Sequence, residues 1–285
     1  LHLLSRRQRQ MCIRDRIVVG KRQQVIQRKV DEIRQNMFVI HQLVERDKKR
    51  SLSSTFMGEM WEVINPLINM VVMVLIFSEM FGKGSSGAFP LYVLTGTTLY
   101  GLFNSGTSMC LSALMGNKSF LIKTQLSKNV YVYQKILVAF RNFLFSLLIY
   151  AFVIALYRIK PSWSWLLFFL VILLMLVMML GIGKMLAVIN VTFADITYFY
   201  KIFTLFLMYG SAIFYRVDRL PLTMQKVMTI LNPLYIVISI ARECIMERAY
   251  PNWKLWMILS LYAGGCYVVG TIFFNRKIED IVAKM

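Results

Sequence analysis

Residues 166–180 read LLFFLVILLMLVMML, fifteen apolar residues in succession within a longer apolar segment, 165–189. A helix needs about 20 predominantly apolar residues to cross the hydrocarbon core of a bilayer, so this segment predicts a transmembrane helix. Backbone amides in lipid must be hydrogen-bonded within their own segment. The remaining apolar blocks are therefore interpreted as membrane helices too.

The composition supports a membrane protein, because 58% of the 285 residues are hydrophobic and the 16% that are charged cluster between apolar blocks. We predict an all-α integral membrane fold with six transmembrane helices. The predicted spans are 64–81, 90–114, 136–157, 165–189, 198–215 and 255–274.

The distribution of basic residues predicts the orientation of these spans. Most of the 33 Lys and Arg residues lie in the N-terminal segment, in the connector after the second span and in the C-terminal tail, and Lys184 and Lys201 flank the connector after the fourth span. The positive-inside rule places these segments, and hence both termini, in the cytoplasm. Basic segments at the inner leaflet meet anionic lipid, which accounts for the net charge of +19 without nucleic acid.

The spans divide the chain into four parts. Residues 1–36 form an N-terminal arm, and its first sixteen residues lack the apolar core of a signal peptide and are expected to be non-native. Residues 37–63 alternate apolar and charged positions and predict an amphipathic interfacial helix. The six-span domain covers 64–275, and 276–285 form a cytoplasmic tail.

The sequence contains no pattern typical of an enzyme or a metal site. The cysteines at 12, 110, 244 and 266 have no paired spacing, and the two histidines are 39 positions apart. The glycine-rich segment 82–87 lacks the spacing of a phosphate loop. The spans contain almost no carboxylates for an ion-driven relay. We therefore expect no cofactor in this chain and an ATPase on another polypeptide.

Three segments stand out within this plan. Thr97, Gly101 and Ser105, with Gly96, Thr98, Gly106 and Ser108 beside them, predict a small-residue face on the second span, for helix packing within the chain or along a passage or dimer seam. The basic and aromatic connector at 115–135 predicts a partner-docking surface or a loop lying on lipid. The segment at 215–254 has two apolar stretches separated by Pro and predicts re-entrant or interfacial helices.

The order of these parts resembles the membrane subunit of type-2 ATP-binding-cassette exporters, specifically the permeases for lipid-linked polysaccharides such as O-antigen, capsule and wall teichoic acid. The resemblance covers His41 to the C-terminus. The residues that carry it are 46–50, Gly58, Trp61, Asn65-Pro66, 117–128, 193–196, Phe214-Tyr215, Leu220-Pro221, 232–234, Arg242 and 273–283.

The resemblance implies a homodimer in the bacterial cytoplasmic membrane, bound to two copies of an ATP-binding subunit that holds ATP and Mg. It implies export of a lipid-linked glycan and three groups of site residues. The coupling residues are Arg46, Lys48, Asn117, Lys118, Lys123 and Lys128. The substrate path is lined by Trp61, Asn69, Tyr100, Asn104, Tyr198 and Tyr209. The re-entrant region contains Pro221, Asn232, Pro233 and Arg242.

Two alternatives stay open at this point. The same plan serves exporters of drugs, lipids or peptides. A membrane-embedded glycan-modifying enzyme would need an outward cluster of acids, and Asp218, Glu243 and Glu247 form a poor one without an outside histidine.

Overall fold

The structure is a computed structural model that describes residues 27, 30–49, 89–123, 126–217 and 220–284, with scattered positions between 64 and 76. Within these ranges every regular element is a helix, which confirms the predicted all-α class. The predicted non-native segment 1–16 and most of the predicted first span lie outside the described residues.

Nine helices of the described ranges are used below. They are α1 (30–49), α2 (Phe89–Leu111), α3 (Lys118–Lys123), α4 (Asn129–Leu156), α5 (Trp165–Thr192), α6 (Ile196–Gly210), α7 (Leu222–Leu231), α8 (Pro233–Arg242) and α9 (Trp253–Lys284). A 3-10 turn at Met115–Asn117 precedes α3, and a π-helical turn at Glu243–Glu247 extends α8.

Three helices in the described part, α4, α5 and α9, are long and apolar enough to cross a membrane. They correspond to the predicted third, fourth and sixth spans. Helix α2 covers the predicted second span with 23 residues. Helix α6 has only 15 residues, because the predicted fifth span ends in an irregular turn after Gly210. The count of six spans remains a prediction.

The contacts of α2 define how the helices run. Thr95 contacts Tyr150 near the start of α2, whereas Gly106 faces Ala139 nearer its end, so α2 and α4 are antiparallel. Gly183 packs on Cys110, and Asn190 donates to the Leu111 carbonyl, so the ends of α2 and α5 lie together. We call this the connector end, because the connector Met115–Asn117 and α3 follow there.

The opposite end of the bundle contains the bent pair of α7 and α8, and we call it the hairpin end. Tyr92, near the start of α2, donates from its hydroxyl to the Tyr215 carbonyl, and Ser164 before α5 donates to the Cys244 carbonyl. Helix α9 begins shortly after Cys244 and runs beside α5 to the connector end.

Helices α5 and α9 are in backbone contact. A Cβ added to Gly181 would overlap the Cys266 carbonyl, and one added to Gly270 would overlap the Gly181 carbonyl. Small residues allow membrane helices to approach this closely. The pair therefore forms a single packed unit within the bundle.

Helix α1 joins the bundle through its second half. Ile40 and Leu43 are buried in the same core cluster as Phe274 and Ile278 of α9. Val30, Ile33 and Met37 in its first half are exposed. The described part of the predicted amphipathic segment thus has one apolar side packed on protein.

Candidate coupling site

The connector end contains a cluster of polar side chains centred on Asp47. The Asp47 Oδ1 atom accepts hydrogen bonds from Arg46 Nε and Nη2, at 3.1 and 2.7 Å. The Asp47 Oδ2 atom accepts from Gln134 Nε2 at 2.7 Å and from Lys135 Nζ at 2.6 Å. One carboxylate thus fastens α1 to the first turns of α4.

The environment keeps Asp47 ionised. Burial alone would raise the pKa of its carboxyl, but hydrogen bonds from Lys135, Arg46 and Gln134 lower that pKa to about 2. The pKa is depressed because all three donors favour the charged form. Asp47 is therefore an anion throughout the physiological pH range, and its two cationic partners retain their counter-charge.

Asn117 extends the cluster to the connector. Its side chain is fully buried, and its Nδ2 donates to the Ala113 carbonyl at 2.8 Å, at the end of α2. Its Oδ1 accepts from Arg46 Nη2 at 2.7 Å. The Arg46 guanidinium also lies 5.4 Å from the centroid of the Phe120 ring on α3. Arg46 therefore links α1 to both the connector and α3. We call Arg46, Asp47, Asn117, Gln134 and Lys135 the Asp47 junction.

The structure brings two of the six predicted coupling residues, Arg46 and Asn117, into direct contact. Lys118 is exposed in the first turn of α3, and Lys128 is half-buried just before α4. Lys48 is half-buried on α1, and the Lys123 side chain lies outside the described residues. Lys48, Lys118 and Lys128 therefore lie on or next to the elements that carry the Asp47 junction, and of these three Lys118 is exposed.

Two of the predicted path residues lie on α2. Tyr100 donates from its hydroxyl to the Thr204 carbonyl of α6 at 3.1 Å. Asn104 accepts from the Ser108 hydroxyl at 3.3 Å within α2. Both side chains are half-buried. Tyr100 thus has a packing role between two helices, whatever else it borders.

The other two described path residues, Tyr198 and Tyr209, lie on α6. Their exposed fractions are 68% and 58%, so the described helices leave these side chains uncovered. Trp61 and Asn69 lie outside the described residues. The structure thus places four of the six predicted path residues on two neighbouring helices, α2 and α6.

The small residues predicted to share one face of α2 fall on two sides of the helix, and the two glycines Gly96 and Gly106 lie on the side that packs. Gly96 and Gly106 contact other helices. A Cβ added to Gly96 would meet the Arg242 guanidinium at 2.9 Å, and one added to Gly106 would overlap the Met179 side chain. A Cβ at Gly101 would meet no side chain within 4 Å, and Thr97 and Ser105 are only half-buried. Intrachain packing by the described helices therefore uses the side of Gly96 and Gly106, and the described helices leave Gly101 uncovered.

The re-entrant region forms a sharp turn at the hairpin end. Helices α7 and α8 meet at an angle of 104°. Asn232 begins α8 by accepting from the amides of Leu234 and Tyr235, each at 3.1 Å, while Pro233 occupies the first helical turn. The Asn232 Nδ2 atom donates to the Gly210 carbonyl at 2.9 Å. Asn232 therefore joins the end of α6 to the start of α8.

Arg242 fixes the other end of α8. Its guanidinium donates to the carbonyls of Tyr92, Ala212 and Ile213 at 3.0 to 3.2 Å and lies 3.3 Å from the centroid of the Tyr92 ring. The planar fork of arginine suits several carbonyls at once. This buried cation holds α2, α8 and the turn after α6 together. Pro221 is exposed before α7 and joins neither contact.

Sequence reasoning missed four residues of these sites. Asp47, Gln134 and Lys135 were not assigned to coupling, although the Arg46-Asp47 pair was noted as a motif. Lys184 was counted only as an inside charge, and the structure buries it. A lysine close to the end of an otherwise apolar span was the only signal in the sequence. No group of three metal-ligating side chains occurs among the described residues.

Comparisons with known proteins agree with this architecture. The family model described as ABC-2 type transporter matches residues 39–246, from the second half of α1 through the π-helical turn. Among curated proteins, the chain is 24% identical to the O-antigen export system permease protein RfbA of Myxococcus xanthus over 254 residues, 88% of this chain and 97% of that protein. It is 23% identical to the RfbA permease of Klebsiella pneumoniae, over 82% of this chain and 90% of that protein.

The matched range includes both the Asp47 junction and Arg242. It covers more than half of the chain, and it confirms the resemblance inferred from sequence motifs together with the interpretation as a transporter subunit and not an enzyme. The chain therefore belongs to the ABC-2 type transporter family.

Proposed function

We propose that this chain is the permease subunit of an ATP-driven exporter of a lipid-linked polysaccharide, of the O-antigen or teichoic acid class. The observation that carries the proposal is the length of the similarity to O-antigen export permeases, which extends over 97% of one such protein. The similarity includes the hairpin end as well as the connector end.

The connector end supports coupling to an ATP-binding partner. Here a basic surface with the exposed Lys118 and the half-buried Lys128 adjoins the Asp47 junction, which fastens α1, the connector and α4 to one another. A partner that pushes on this surface moves all three elements together. In this proposal the connector end faces the cytoplasm, and two ATP-binding subunits, each holding ATP and Mg, bind a homodimer of this chain in the bacterial cytoplasmic membrane.

The open faces of α2 and α6 support a wide path. Helix α2 carries the small residues Thr97, Gly101 and Ser105, two of them with hydroxyls, and α6 carries exposed aromatic rings at Tyr198 and Tyr209. A hydrated glycan is recognised by such surfaces without being trapped by fixed charges, and aromatic rings stack on the apolar faces of sugars. Two copies of this face would line the path between protomers.

Co-purification of the chain with its ATP-binding partner tests the proposal. The complex should retain a lipid-linked saccharide detectable by mass spectrometry, and that saccharide should stimulate ATP hydrolysis. Stimulation by a drug or peptide in its place would favour the first alternative. Glycan turnover by the isolated chain, without any ATPase, would contradict a transport function.

Charge reversal tests the docking surface. We expect Lys118→Glu, Lys123→Glu and Lys128→Glu together to lower substrate-stimulated ATP hydrolysis at least tenfold while membrane insertion is retained. The matched control changes Lys160, Lys226 and Lys254, exposed lysines at the hairpin end, to Glu and should leave the stimulation intact. Equal losses in both triple variants would remove the connector end from the docking role.

A further inference from the structure

Lys184 is a buried cation inside the helix bundle, near the connector end of α5. Only 1% of its surface is exposed. Its Nζ atom donates to the Thr271 hydroxyl at 3.0 Å. The same atom lies 5.3 Å from the centroid of the Tyr133 ring and 4.7 Å from that of Tyr267. Three helices, α4, α5 and α9, thus surround one ammonium group.

Packing alone does not explain a lysine at this position. An ammonium group at membrane depth costs free energy, and no carboxylate pairs with Lys184 in the part of the chain that the structure describes. One hydroxyl and two aromatic faces compensate only part of that cost. Methionine would fill the same space without any desolvation penalty, and apolar replacement of buried charges is often neutral or stabilising.

The surroundings of Lys184 connect two structural units. Tyr133 directly precedes Gln134 and Lys135, whose side chains hold Asp47, so the first turns of α4 contact both Lys184 and the Asp47 junction. On the other side, Thr271 and Tyr267 belong to α9, which is in backbone contact with α5 at Gly181 and Gly270.

Lys184 lies between the Asp47 junction and the α5 and α9 pair. The Asp47 junction lies at the surface where a partner would act, whereas the α5 and α9 pair lies in the bundle. The Lys184 side chain extends from the α5 and α9 pair to Tyr133, which precedes Gln134 of the Asp47 junction. A cation over an aromatic face keeps its attraction over a range of ring positions, because the interaction depends on proximity more than on one hydrogen-bond angle.

We propose that Lys184 is a positioning residue in energy coupling: it holds the first turns of α4 against the α5 and α9 pair, so that movement of the Asp47 junction is transmitted to the bundle. This inference rests on the proposed export function. Its chemistry requires a cation that both donates a hydrogen bond and contacts aromatic faces, and not an ion pair.

The test uses the complex with its ATP-binding subunit, reconstituted in lipid vesicles with the retained lipid-linked saccharide. We expect Lys184→Met to preserve expression, assembly and thermal stability, but to lower the number of saccharides exported per ATP hydrolysed at least fivefold. Lys184→Arg, which keeps the donor and the cation, should recover most of the ratio. Lys254→Met removes an exposed lysine from α9 and serves as the matched control with an unchanged ratio.

The tyrosine ring gives a second, independent arm. Tyr267→Phe keeps the aromatic face and should export normally, whereas Tyr267→Leu should reproduce the loss caused by Lys184→Met. An unchanged export ratio for Lys184→Met in a complex whose wild type exports would overturn the inference. A wild-type complex that does not export glycan would instead contradict the proposed function.

Discussion

Two buried cations in this protein are stabilised without carboxylates among the described residues. Arg242 donates to three backbone carbonyls and stacks on Tyr92, whereas Lys184 donates to a single hydroxyl between two rings. The guanidinium has five N–H groups in a fixed plane, so carbonyls on several segments can share it. Arg242 therefore joins backbone to backbone, while Lys184 joins side chains of α4 and α9.

Asp47 gives a prediction at the level of a single side chain. Asp47→Asn keeps the size of the residue but leaves Arg46 and Lys135 without their counter-charge, and we expect it to weaken the attachment of α1 by about 1–3 kcal/mol. A nitroxide at the exposed position Gln42 reports the attachment as loss of mobility in spin-label spectra. Asp31→Asn changes an exposed carboxylate of the same helix and should leave the spectrum unaltered. A label that stays immobile in Asp47→Asn, as it does in Asp31→Asn, would contradict the role of Asp47.

The pH dependence of this attachment follows from the sign of the pKa shift. The carboxyl pKa in the folded protein, about 2, is lower than the ordinary value of 3.8, so the charge stabilises the folded state above pH 3.8 and that stabilisation is lost as pH falls toward 2. The wild-type label should thus remain immobile from neutral pH down to about pH 4. Release of α1 between pH 7 and 5 would show that another group controls it.

The contact between α5 and α9 gives a prediction for a pair of helices. Gly270→Ala places a methyl group on the Gly181 carbonyl, and because backbone must then move, we expect a loss of about 1–3 kcal/mol of stability. Gly265→Ala, on the same helix, meets no side chain within 4 Å and should be neutral or slightly stabilising. Thermal unfolding of the purified protein in detergent compares the two variants. Equal melting temperatures would contradict the close packing.

Local sequence signals predicted individual elements well. The run at 166–180 lies within α5, and Asn232-Pro233 marks the bend because Asn caps the new helix and Pro cannot continue the previous one. The fifth span was predicted too long, since its apolar residues continue past Gly210 into a turn in which Ala212 has a positive φ of 51°. The apolar composition of this segment gives no indication that the helix ends at Gly210.

Long-range contacts could not be predicted in this way. Asp47 and Gln134 are 87 positions apart, and no periodicity in either segment indicates the other. The sequence suggested that Lys184 belongs to the inner surface, because lysines near the ends of spans usually extend to the headgroups. The structure buries it because α9 covers that side of α5. Pairings between helices depend on the packing of the whole bundle, which single segments do not encode.

The whole molecule has two chemically different ends, and their orientation is testable. Cysteine placed at Ser119 or Lys277, both exposed at the connector end, should react with a membrane-impermeant maleimide only after the cells are permeabilised. Cysteine at Trp163, which is 79% exposed at the hairpin end, should react in intact cells. The native cysteines in the described residues are buried or half-buried. A variant without native cysteines, into which each single cysteine is introduced, measures the labelling background. Positions 119 and 277 reacting from opposite sides would contradict the arrangement.

The hydrogen bond between Arg242 and the Tyr92 carbonyl joins residues 150 positions apart, and this separation has a consequence for biosynthesis. When α2 leaves the ribosome and enters the membrane, the residue that will secure its first turn has not yet been translated. Until α8 has been synthesised, the Tyr92 carbonyl has no Arg242 guanidinium to accept from. Closure of the hairpin end is therefore among the last steps of assembly, and a chain released before Arg242 would lack both α9 and the side chain that secures the start of α2.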